Sequence, residues 1–372
     1  MNKRKFIAAA AAFGVAASIV AIAPAAHAEP VSPGYVAVGS DTLQDAMNAL
    51  ANGTNVSGAN VRSTANGQFF ANFDPTGSHN VQVKPGGPTF GRPNGSSDGV
   101  KALSRSIDGA AYTSTTKDAV TGVPIPGQID IARSSSGATA VNNGALYYIP
   151  FGRDALSYAY KSTNSAFENI TQAQLKALFE CAPNGGTTIG GVTAVPVIPQ
   201  AGSGTRKDFL GKIGVTEQSL GGCVKVGQEH DTQKLSDGSA FPDNAVTPMS
   251  AAQWVAQNTG AGVNRRGADV KIGSPVAGVS PVTGAGSAMV PNKSFYDDSH
   301  WGRDTYIVVE YARIDSSNAT KYDAKLANLV STAGDKLGNT QSALPSQAGS
   351  VKKKFGFLAP SNPTPFRAAT TN

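Results

Sequence analysis

One pattern of apolar and polar positions recurs along the chain: a short apolar run, a turn of small polar residues, then apolar residues at helical spacing. Each repeat of this unit predicts a strand, a turn and a helix. Strands that alternate with helices predict a largely parallel α/β sheet, whose ligand crevice lies at the carboxyl ends of the strands. The four turns are Gly39-Ser40-Asp41-Thr42, Gly95-Ser96-Ser97-Asp98-Gly99, Arg133-Ser134-Ser135-Ser136 and Gly202-Ser203-Gly204-Thr205.

The residues of these turns have two interpretations. Hydroxyl side chains before a helix are ordinary caps, and we predict that Thr42 caps the first helix and that Thr171 with Gln174 forms a capping box on a later one. The unpaired N–H groups of a helix N-terminus, with hydroxyls and glycines beside them, also bind oxyanions. Four such turns in one α/β chain favour a shared anion site.

A targeting segment is predicted for residues 1–28. Lys3-Arg4-Lys5 gives a positive start, residues 6–23 form an uncharged apolar run, and Ala26-His27-Ala28 fits a signal-peptidase site, so the mature chain would begin at Glu29. The alternative is a retained membrane anchor, since the run is nearly long enough to span a bilayer. No cysteine lies near the cleavage point, so we expect no lipoprotein anchor and a location outside the cell, in its envelope or in a periplasm.

Composition and charge exclude several classes of protein. The chain has 372 residues, 40% of them hydrophobic and 15% charged. This composition argues against a disordered or coiled-coil protein. At ~100 to 200 residues per domain, the length predicts two domains. Without Lys3-Arg4-Lys5 the formal charge falls from +6 to +3. The remaining cluster of lysines, residues 352–354, is predicted to be a solvated face, so we expect no nucleic-acid partner. We also expect a monomer.

The cysteines and histidines limit the metal and redox chemistry that the chain can support. Cys181 and Cys223 are the two cysteines of the sequence, too few for a disulfide scaffold or a four-cysteine zinc site. We expect them to form a disulfide in an oxidising compartment, and two free thiols are the alternative. Glu229-His230-Asp231 lacks the spacing of metal ligands, and we predict a loop that borders the cleft. Neither a metal nor a cofactor is expected.

The four turns, in the order in which they occur along the chain, resemble those of the phosphate-binding periplasmic proteins of ABC importers. The resemblance covers nearly all of the mature chain. Ile149-Pro150-Phe151 with residues 155–160 resembles the strand that crosses between the lobes of those proteins, and residues 305–309 resemble the return crossing. The resemblance implies a two-lobed clamp of the type II periplasmic-binding-protein fold, with the ligand in the inter-lobe cleft. Lobe I would then comprise residues 29–157 plus 309–372, and lobe II residues 158–308.

The same resemblance implies a function. It indicates an exported solute-binding protein that captures a tetrahedral oxyanion, phosphate first, for a membrane permease. Such a protein has no enzyme activity. The ligand contacts that the resemblance implies are at Thr42, Leu43, Ser96, Ser135, Ser203, Gly204 and Thr205.

Two positions depart from the family's pattern. Ser135 stands where the family usually has a carboxylate that accepts the proton of hydrogen phosphate, and Pro199 stands where it usually has a buried arginine. A neutral Ser135 predicts a less sharp choice between phosphate and sulfate. Arg133 or Arg206 could replace the missing guanidinium, because arginine pairs bidentately with tetrahedral oxyanions. A surface arginine is the alternative for either.

Two other functions stay open. Gly95-x-Ser97-x-Gly99 matches the nucleophile elbow of serine hydrolases, with His230 or His300 as the base. An elbow follows a buried strand directly, whereas residues 89–94 precede this one, so we expect no enzyme. A secreted anion scavenger or sensor without a transporter is the second alternative.

Overall fold

A computed structural model describes residues 31–183 and 186–371, so the predicted targeting segment lies outside the described residues. Most of the described strands are short, and the long ones belong to the main sheet. They are β1 (Tyr35–Gly39), β2 (Thr54–Val56), β3 (Ala59–Val61), β4 (Phe70–Asn72), β5 (Asn80–Val81), β6 (Phe90–Gly91), β7 (Ala111–Tyr112), β8 (Val123–Pro124), β9 (Ile131–Ser134), β10 (Leu146–Lys161), β11 (Thr188–Ile189), β12 (Val192–Thr193), β13 (Val195–Pro199), β14 (Lys225–Gly227), β15 (Ala245–Ser250), β16 (Lys271–Gly273), β17 (Val282–Thr283), β18 (Val290–Pro291), β19 (Gly302–Glu310) and β20 (Phe366–Ala368).

Helices pack around this sheet, and several begin at the predicted turns. They are α1 (Gln44–Asn52), α2 (Ser96–Asp108), α3 (Gln172–Phe179), α4 (Gly204–Ile213), α5 (Ala251–Thr259), α6 (Lys293–Tyr296), α7 (Ala324–Leu329) and α8 (Ala348–Lys354). Single turns of 3-10 helix lie at Asp41–Leu43, Ser165–Asn169, Gly286–Ala288 and Tyr311–Arg313. Within the described ranges, none of these helices has the length and apolar character that a membrane crossing requires.

The main sheet has the order β14-β13-β15-β10-β19-β9-β1-β4, and β16 and β20 also pair with β10. The strand pairing is parallel at both ends of the sheet: β1 pairs with β4 and β9, and β13 pairs with β14 and β15. Along β10 and β19 the pairing is antiparallel. The predicted parallel arrangement therefore holds at both ends of the sheet and fails in the middle, where the crossing strands run against their neighbours.

Strand β10 connects the two lobes of the α/β fold. Over Leu146–Ala155 it pairs with β19, and over Leu156–Lys161 it pairs with β15. Separate hydrophobic clusters cover the two regions: one set packs around β1, β9 and α2, the other around β13, β15 and α3. We call the first region lobe I and the second lobe II. The residue boundaries at 157/158 and 308/309 stay a prediction.

The helix caps correct one expectation and confirm another. Ser40, not Thr42, accepts a hydrogen bond from the Thr42 N–H and caps the 3-10 turn before α1. The Thr42 hydroxyl is therefore directed to other partners. At α3 the predicted capping box is present, with Thr171 and Gln174 in their reciprocal hydrogen bonds.

Two further expectations have clear outcomes. Cys181 and Cys223 form the expected disulfide, and it lies wholly within lobe II, between the end of α3 and the approach to β14. The lysine run is not a solvated face throughout: Lys352 is buried and donates to the carbonyls of Leu337 and Asn339. The expectation was wrong there because an amphipathic helix carries every third or fourth residue inward.

Candidate functional site

Lobe I contributes hydroxyl groups from three of the predicted turns. Thr42 lies between β1 and α1, Ser96 is the first residue of α2, and Ser135 follows β9 directly. All three side chains are buried, and the Ser96 and Ser135 hydroxyl oxygens are 3.1 Å apart. The Ser135 N–H also donates to the Ser96 hydroxyl. The ends of parallel strands β1 and β9 thus bring these residues to one edge of the sheet.

Lobe II contributes the fourth turn, which opposes the others across the cleft. Ser203 caps α4, and Gly204 and Thr205 form its first turn. A side chain at Gly204 would collide with the hydroxyls of Ser96 and Ser135, so glycine is required for the lobes to approach. The Thr205 and Thr42 hydroxyl oxygens lie 3.4 Å apart. We call this set of hydroxyl residues the cradle: Thr42, Ser96, Ser135, Ser203 and Thr205.

The cleft is closed, and the lobes touch beside the cradle. The Ser97 N–H donates to the Gly202 carbonyl at 3.1 Å, and the Thr115 hydroxyl donates to the Ala201 carbonyl at 3.0 Å. The Gln200 amide donates to Asn94 at 2.8 Å. The cradle is shielded from solvent by these contacts.

The positive charge of the cradle comes from Arg303 on β19, a residue that the sequence analysis missed. Its Nη2 donates to the hydroxyls of Thr205 at 3.0 Å and Thr42 at 3.3 Å, one from each lobe. Asp154 on β10 accepts from its Nε and Nη2, and Asp208 from its Nη1. Burial alone would lower the pKa of Arg303, but these carboxylates raise it. The guanidinium is therefore a fixed cation.

A signal for Arg303 was present in the sequence as a repeated triplet. Gly152-Arg153-Asp154 lies on β10 and Gly302-Arg303-Asp304 on β19. Because the two strands are antiparallel, each arginine is in register with the aspartate of the other triplet. Charged residues inside a strand that is otherwise buried need a partner, which predicts such pairing.

A carboxylate and an imidazole complete the cradle on one side. The Thr42 hydroxyl donates to Glu229 Oε1 at 3.2 Å and lies 3.3 Å from His230 Nε2. The Ser203 hydroxyl donates to the other Glu229 oxygen. Burial opposes ionisation of Glu229, but the His230 imidazole and the hydroxyls of Ser203 and Thr205 hold the pKa of its carboxyl below its usual value. Glu229 is thus an ionised acceptor inside the cleft.

The segment of Glu229 and His230 was predicted only as a loop that borders the cleft, and its contacts with the hydroxyls of the cradle were missed. His230 has a φ of 61°, an uncommon conformation for a residue other than glycine. Such conformations cost free energy and cluster at functional sites. Within the described ranges, no group of three metal-binding side chains is close enough to hold a metal ion.

The structure directs the two arginines proposed from sequence away from the cradle. Arg133 is buried beneath the first turn and donates to the carbonyls of Gly39, Ser40 and Phe73, and burial lowers its pKa to about 10. Arg206 pairs with Glu217 and with the Pro199 carbonyl.

Leu43 belongs partly to the core. Its side chain packs in the hydrophobic cluster of lobe I, beside Met47 and Leu50, and its backbone lies in the turn that carries Thr42. The backbone placement puts Leu43 next to the cradle, while its side chain serves packing.

The geometry does not support a nucleophilic Ser97. Ser97 is exposed, while the His230 Nε2 faces Glu229 and Thr42, and the His300 Nε2 contacts the Lys212 carbonyl. Among the described residues, neither histidine therefore hydrogen bonds to the Ser97 hydroxyl. An activated serine requires a base within hydrogen-bond reach.

Comparison with solved structures identifies the fold of this chain. No protein-family model matches the sequence, and no curated protein matches it either. Among solved structures, one similar chain is a candidate phosphate ABC transporter substrate-binding protein from Clostridium perfringens with bound phosphate. It is 13% identical, with a TM-score of 0.51 over 88% of this chain and 99% of that one. An ABC-type phosphate transport receptor from Vibrio cholerae is 15% identical, with a TM-score of 0.49 over 88% of this chain and 100% of that one. The first likeness shows the two-lobed binding-protein fold expected from the sequence.

Proposed function

We propose that this chain is an exported solute-binding protein that captures inorganic phosphate in the cleft between its lobes and delivers it to an ABC importer. One observation carries the proposal: the Arg303 guanidinium donates to a hydroxyl of lobe I, on Thr42, and to a hydroxyl of lobe II, on Thr205. An anion that binds both lobes through the same cation stabilises the closed form. The fold likeness to a phosphate-bound substrate-binding protein supports the same proposal.

The donor chemistry suits a tetrahedral oxyanion. Helices α2 and α4 direct their N-termini to the cradle, and each brings unpaired N–H groups and a partial positive charge. The charge of Arg303 is already offset by Asp154, so neutral hydroxyl and backbone donors carry most of the recognition. A desolvated anion needs many such hydrogen bonds to replace its hydration. The donors we assign are Thr42, Leu43, Ser96, Ser135, Ser203, Gly204 and Thr205, with Arg303.

We assign to Glu229 the proton-accepting role that Ser135 cannot fill. An ionised carboxylate facing the ligand accepts the proton of hydrogen phosphate and repels sulfate, which has none to donate. Glu229→Gln should therefore strengthen sulfate binding at least tenfold and weaken phosphate binding. Equal effects on the two anions, measured by calorimetry at pH 7.5, would remove this role from Glu229.

Export and transport belong to the proposal through other observations. The signal-peptide pattern of residues 1–28 supports secretion, and the disulfide of Cys181 and Cys223 suits an oxidising compartment. N-terminal sequencing of secreted protein should begin at Glu29. We further propose that the protein binds its ligand without chemical change, so a serine-hydrolase probe should leave Ser97 unlabelled.

The deciding experiment is calorimetry of the stripped protein with phosphate, arsenate, sulfate and small organic anions. Phosphate should bind, and ligand at 100 times its dissociation constant should stabilise the fold by ~2.7 kcal/mol. Thr205→Val should weaken phosphate binding at least tenfold, because it removes a donor from the cradle. Thr259→Val is the matched control, since that hydroxyl bonds within its own helix. Absence of any heat or melting shift with all tetrahedral anions would refute the proposal.

A further inference from the structure

A large cavity opens beside the cradle, between the two lobes. Its volume is about 980 Å³, and side chains from both lobes line it. A water molecule accounts for ~30 Å³ of liquid, and a phosphate ion is only a few times larger, whereas cavities of several hundred Å³ hold organic ligands. A lone phosphate in the cradle would leave this space to solvent.

Three residues of the cavity lining lie next to the cradle. Asp41, Glu229 and His230 line the cavity. Two of them also contact the Thr42 hydroxyl, and the third precedes Thr42 in the chain. A group bonded to an oxyanion in the cradle would therefore enter the cavity past these side chains.

Two buried polar atoms at this boundary have no hydrogen-bond partner. They are Oδ2 of Asp41 and Nδ1 of His230, in residues that are 5% and 3% exposed. The other Asp41 oxygen is already held by Gln228, so its free atom is fixed in position. A buried polar atom without a partner destabilises the fold, and a ligand group that bonds to it would remove this cost. Because both residues line the cavity, these two atoms indicate a ligand with its own hydrogen-bonding groups.

The rest of the lining defines the class of substituent. Within the described part of the chain, no Phe, Tyr or Trp lines the cavity, which argues against a nucleobase or another aromatic group. Amide side chains of Gln44 and Gln228 line it, and exposed Lys117 and Lys234 stand at its rim on opposite lobes. Amides and carboxylates bind hydroxyl groups, and the lysines attract an anion.

We propose that the chain's preferred ligand is a phosphate monoester of a small polyol or sugar, with its phosphoryl group in the cradle and its hydroxyl-bearing part in the cavity. Asp41 Oδ2 hydrogen bonds to a ligand hydroxyl, and His230 Nδ1 bonds to a second one. The inference rests on the proposed oxyanion function of the cradle and extends it to the substituent on the phosphorus.

The test is calorimetry of the stripped protein at pH 6, where a phosphate monoester carries its second proton about half of the time and can satisfy Glu229. The probes are inorganic phosphate, glycerol 3-phosphate, glucose 6-phosphate and phenyl phosphate. At least one hydroxyl-bearing ester should bind tenfold more tightly than both inorganic phosphate and phenyl phosphate. Phenyl phosphate has the same anionic group without hydroxyls, so it separates recognition from mere tolerance of an ester.

A variant pair locates the contact. Asp41→Asn keeps the shape and the acceptor for Gln228 but replaces the free acceptor by a donor. It should lower the ratio of ester affinity to phosphate affinity at least tenfold. Asp118→Asn, which changes another carboxylate that lines the cavity, should leave the ratio within twofold.

The outcomes separate the two proposals. If inorganic phosphate binds more tightly than every ester, or if Asp41→Asn leaves the ratio unchanged, the polyol ester is overturned and the phosphate proposal stands. If neither phosphate nor any ester binds, the oxyanion function itself is refuted. Tight binding of a hydroxyl-bearing ester with weak binding of phosphate supports the inference and replaces inorganic phosphate as the cargo.

Discussion

The two Gly-Arg-Asp triplets of the crossing strands have the same sequence and the same pairing, yet they serve different purposes. Arg153 pairs with Asp304 at 3.2 Å and gives its other donors to the Tyr296 carbonyl and Ser361. Arg303 pairs with Asp154 at 2.9 Å and still has a donor for the cradle hydroxyls. The first arginine connects segments of the fold, and the second donates to the cradle.

The difference arises from the groups that surround each guanidinium, not from the strand that carries the arginine. In antiparallel register the two arginines lie at neighbouring rungs of one ladder. One is directed to the C-terminal segment near Ser361, which fills its remaining hydrogen bonds. The other is directed between α4 and the first turn, where it donates to the hydroxyls of Thr42 and Thr205. Local sequence alone therefore cannot separate a structural arginine from a binding one.

The largest effect should come from Arg303→Gln. It removes the cation that bridges the lobes and leaves Asp154 without its charged partner. Phosphate affinity should fall ~100-fold, since hydrogen bonds to charged groups contribute ~1.5 to 3 kcal/mol. Calorimetry measures the loss, and circular dichroism checks that the variant is folded. A folded variant with wild-type affinity would contradict the role given to Arg303.

Arg153→Gln is the matched substitution in the other triplet. It should lower the free energy of unfolding by ~2 to 3 kcal/mol, because one partner of a buried ion pair is removed. Asp304 keeps hydrogen bonds from Ser361 and Asn362, which limits the damage. Phosphate affinity should stay within threefold of wild type. Urea denaturation and calorimetry on the same sample measure both quantities, and a tenfold loss of affinity would erase the distinction between the triplets.

Arg303→Lys tests whether charge alone is sufficient. An ammonium group lacks the planar fork that holds Asp154 while it reaches Thr42 and Thr205, so affinity should fall about tenfold rather than 100-fold. The comparison is made by calorimetry under the conditions used for the glutamine variant. Identical losses in the two variants would mean that the hydrogen-bond geometry, and not the charge, accounts for the whole effect.

The smallest change is expected for Asp208→Asn. Asp208 is a partly exposed carboxylate that accepts from Arg303 Nη1 at 3.3 Å and adds negative charge near the ligand. Its neutralisation should raise phosphate affinity up to about threefold at low salt, and the gain should shrink at higher ionic strength. A decrease in affinity would show that Asp208 orients the guanidinium more than it repels the anion.

The sequence predicted the features that depend on neighbours in the chain. The capping box of Thr171, the helix that follows the turn at residues 202–205 and the small residues of the four turns are all local patterns. Thr42 was predicted as a cap because it directly precedes the apolar residues at helical spacing, whereas the backbone geometry gives that role to Ser40.

The missed features depend on residues far apart in the chain. Arg303 reaches Thr42 from 261 positions away, and Glu229 lies 187 positions from Thr42. The departures at Ser135 and Pro199 were visible in sequence, whereas the replacement groups were not, because they come from other strands and loops. The inward turn of Lys352 was missed since a run of three lysines shows no periodicity of its own.

The contacts that close the cleft also have a consequence for the timing of capture. The hydrogen bonds of Ser97, Thr115 and Gln200 join the lobes independently of the Arg303 bridge, so a bound ion can leave only after they break. Residence time should then follow the rate of lobe opening rather than the strength of the anion contacts. Gln200→Ala should accelerate both arrival and departure in stopped-flow measurements, and departure unchanged by that substitution would contradict this. The dwell time of the bound ion would thus be set by hydrogen bonds between the lobes rather than by the donors of the cradle.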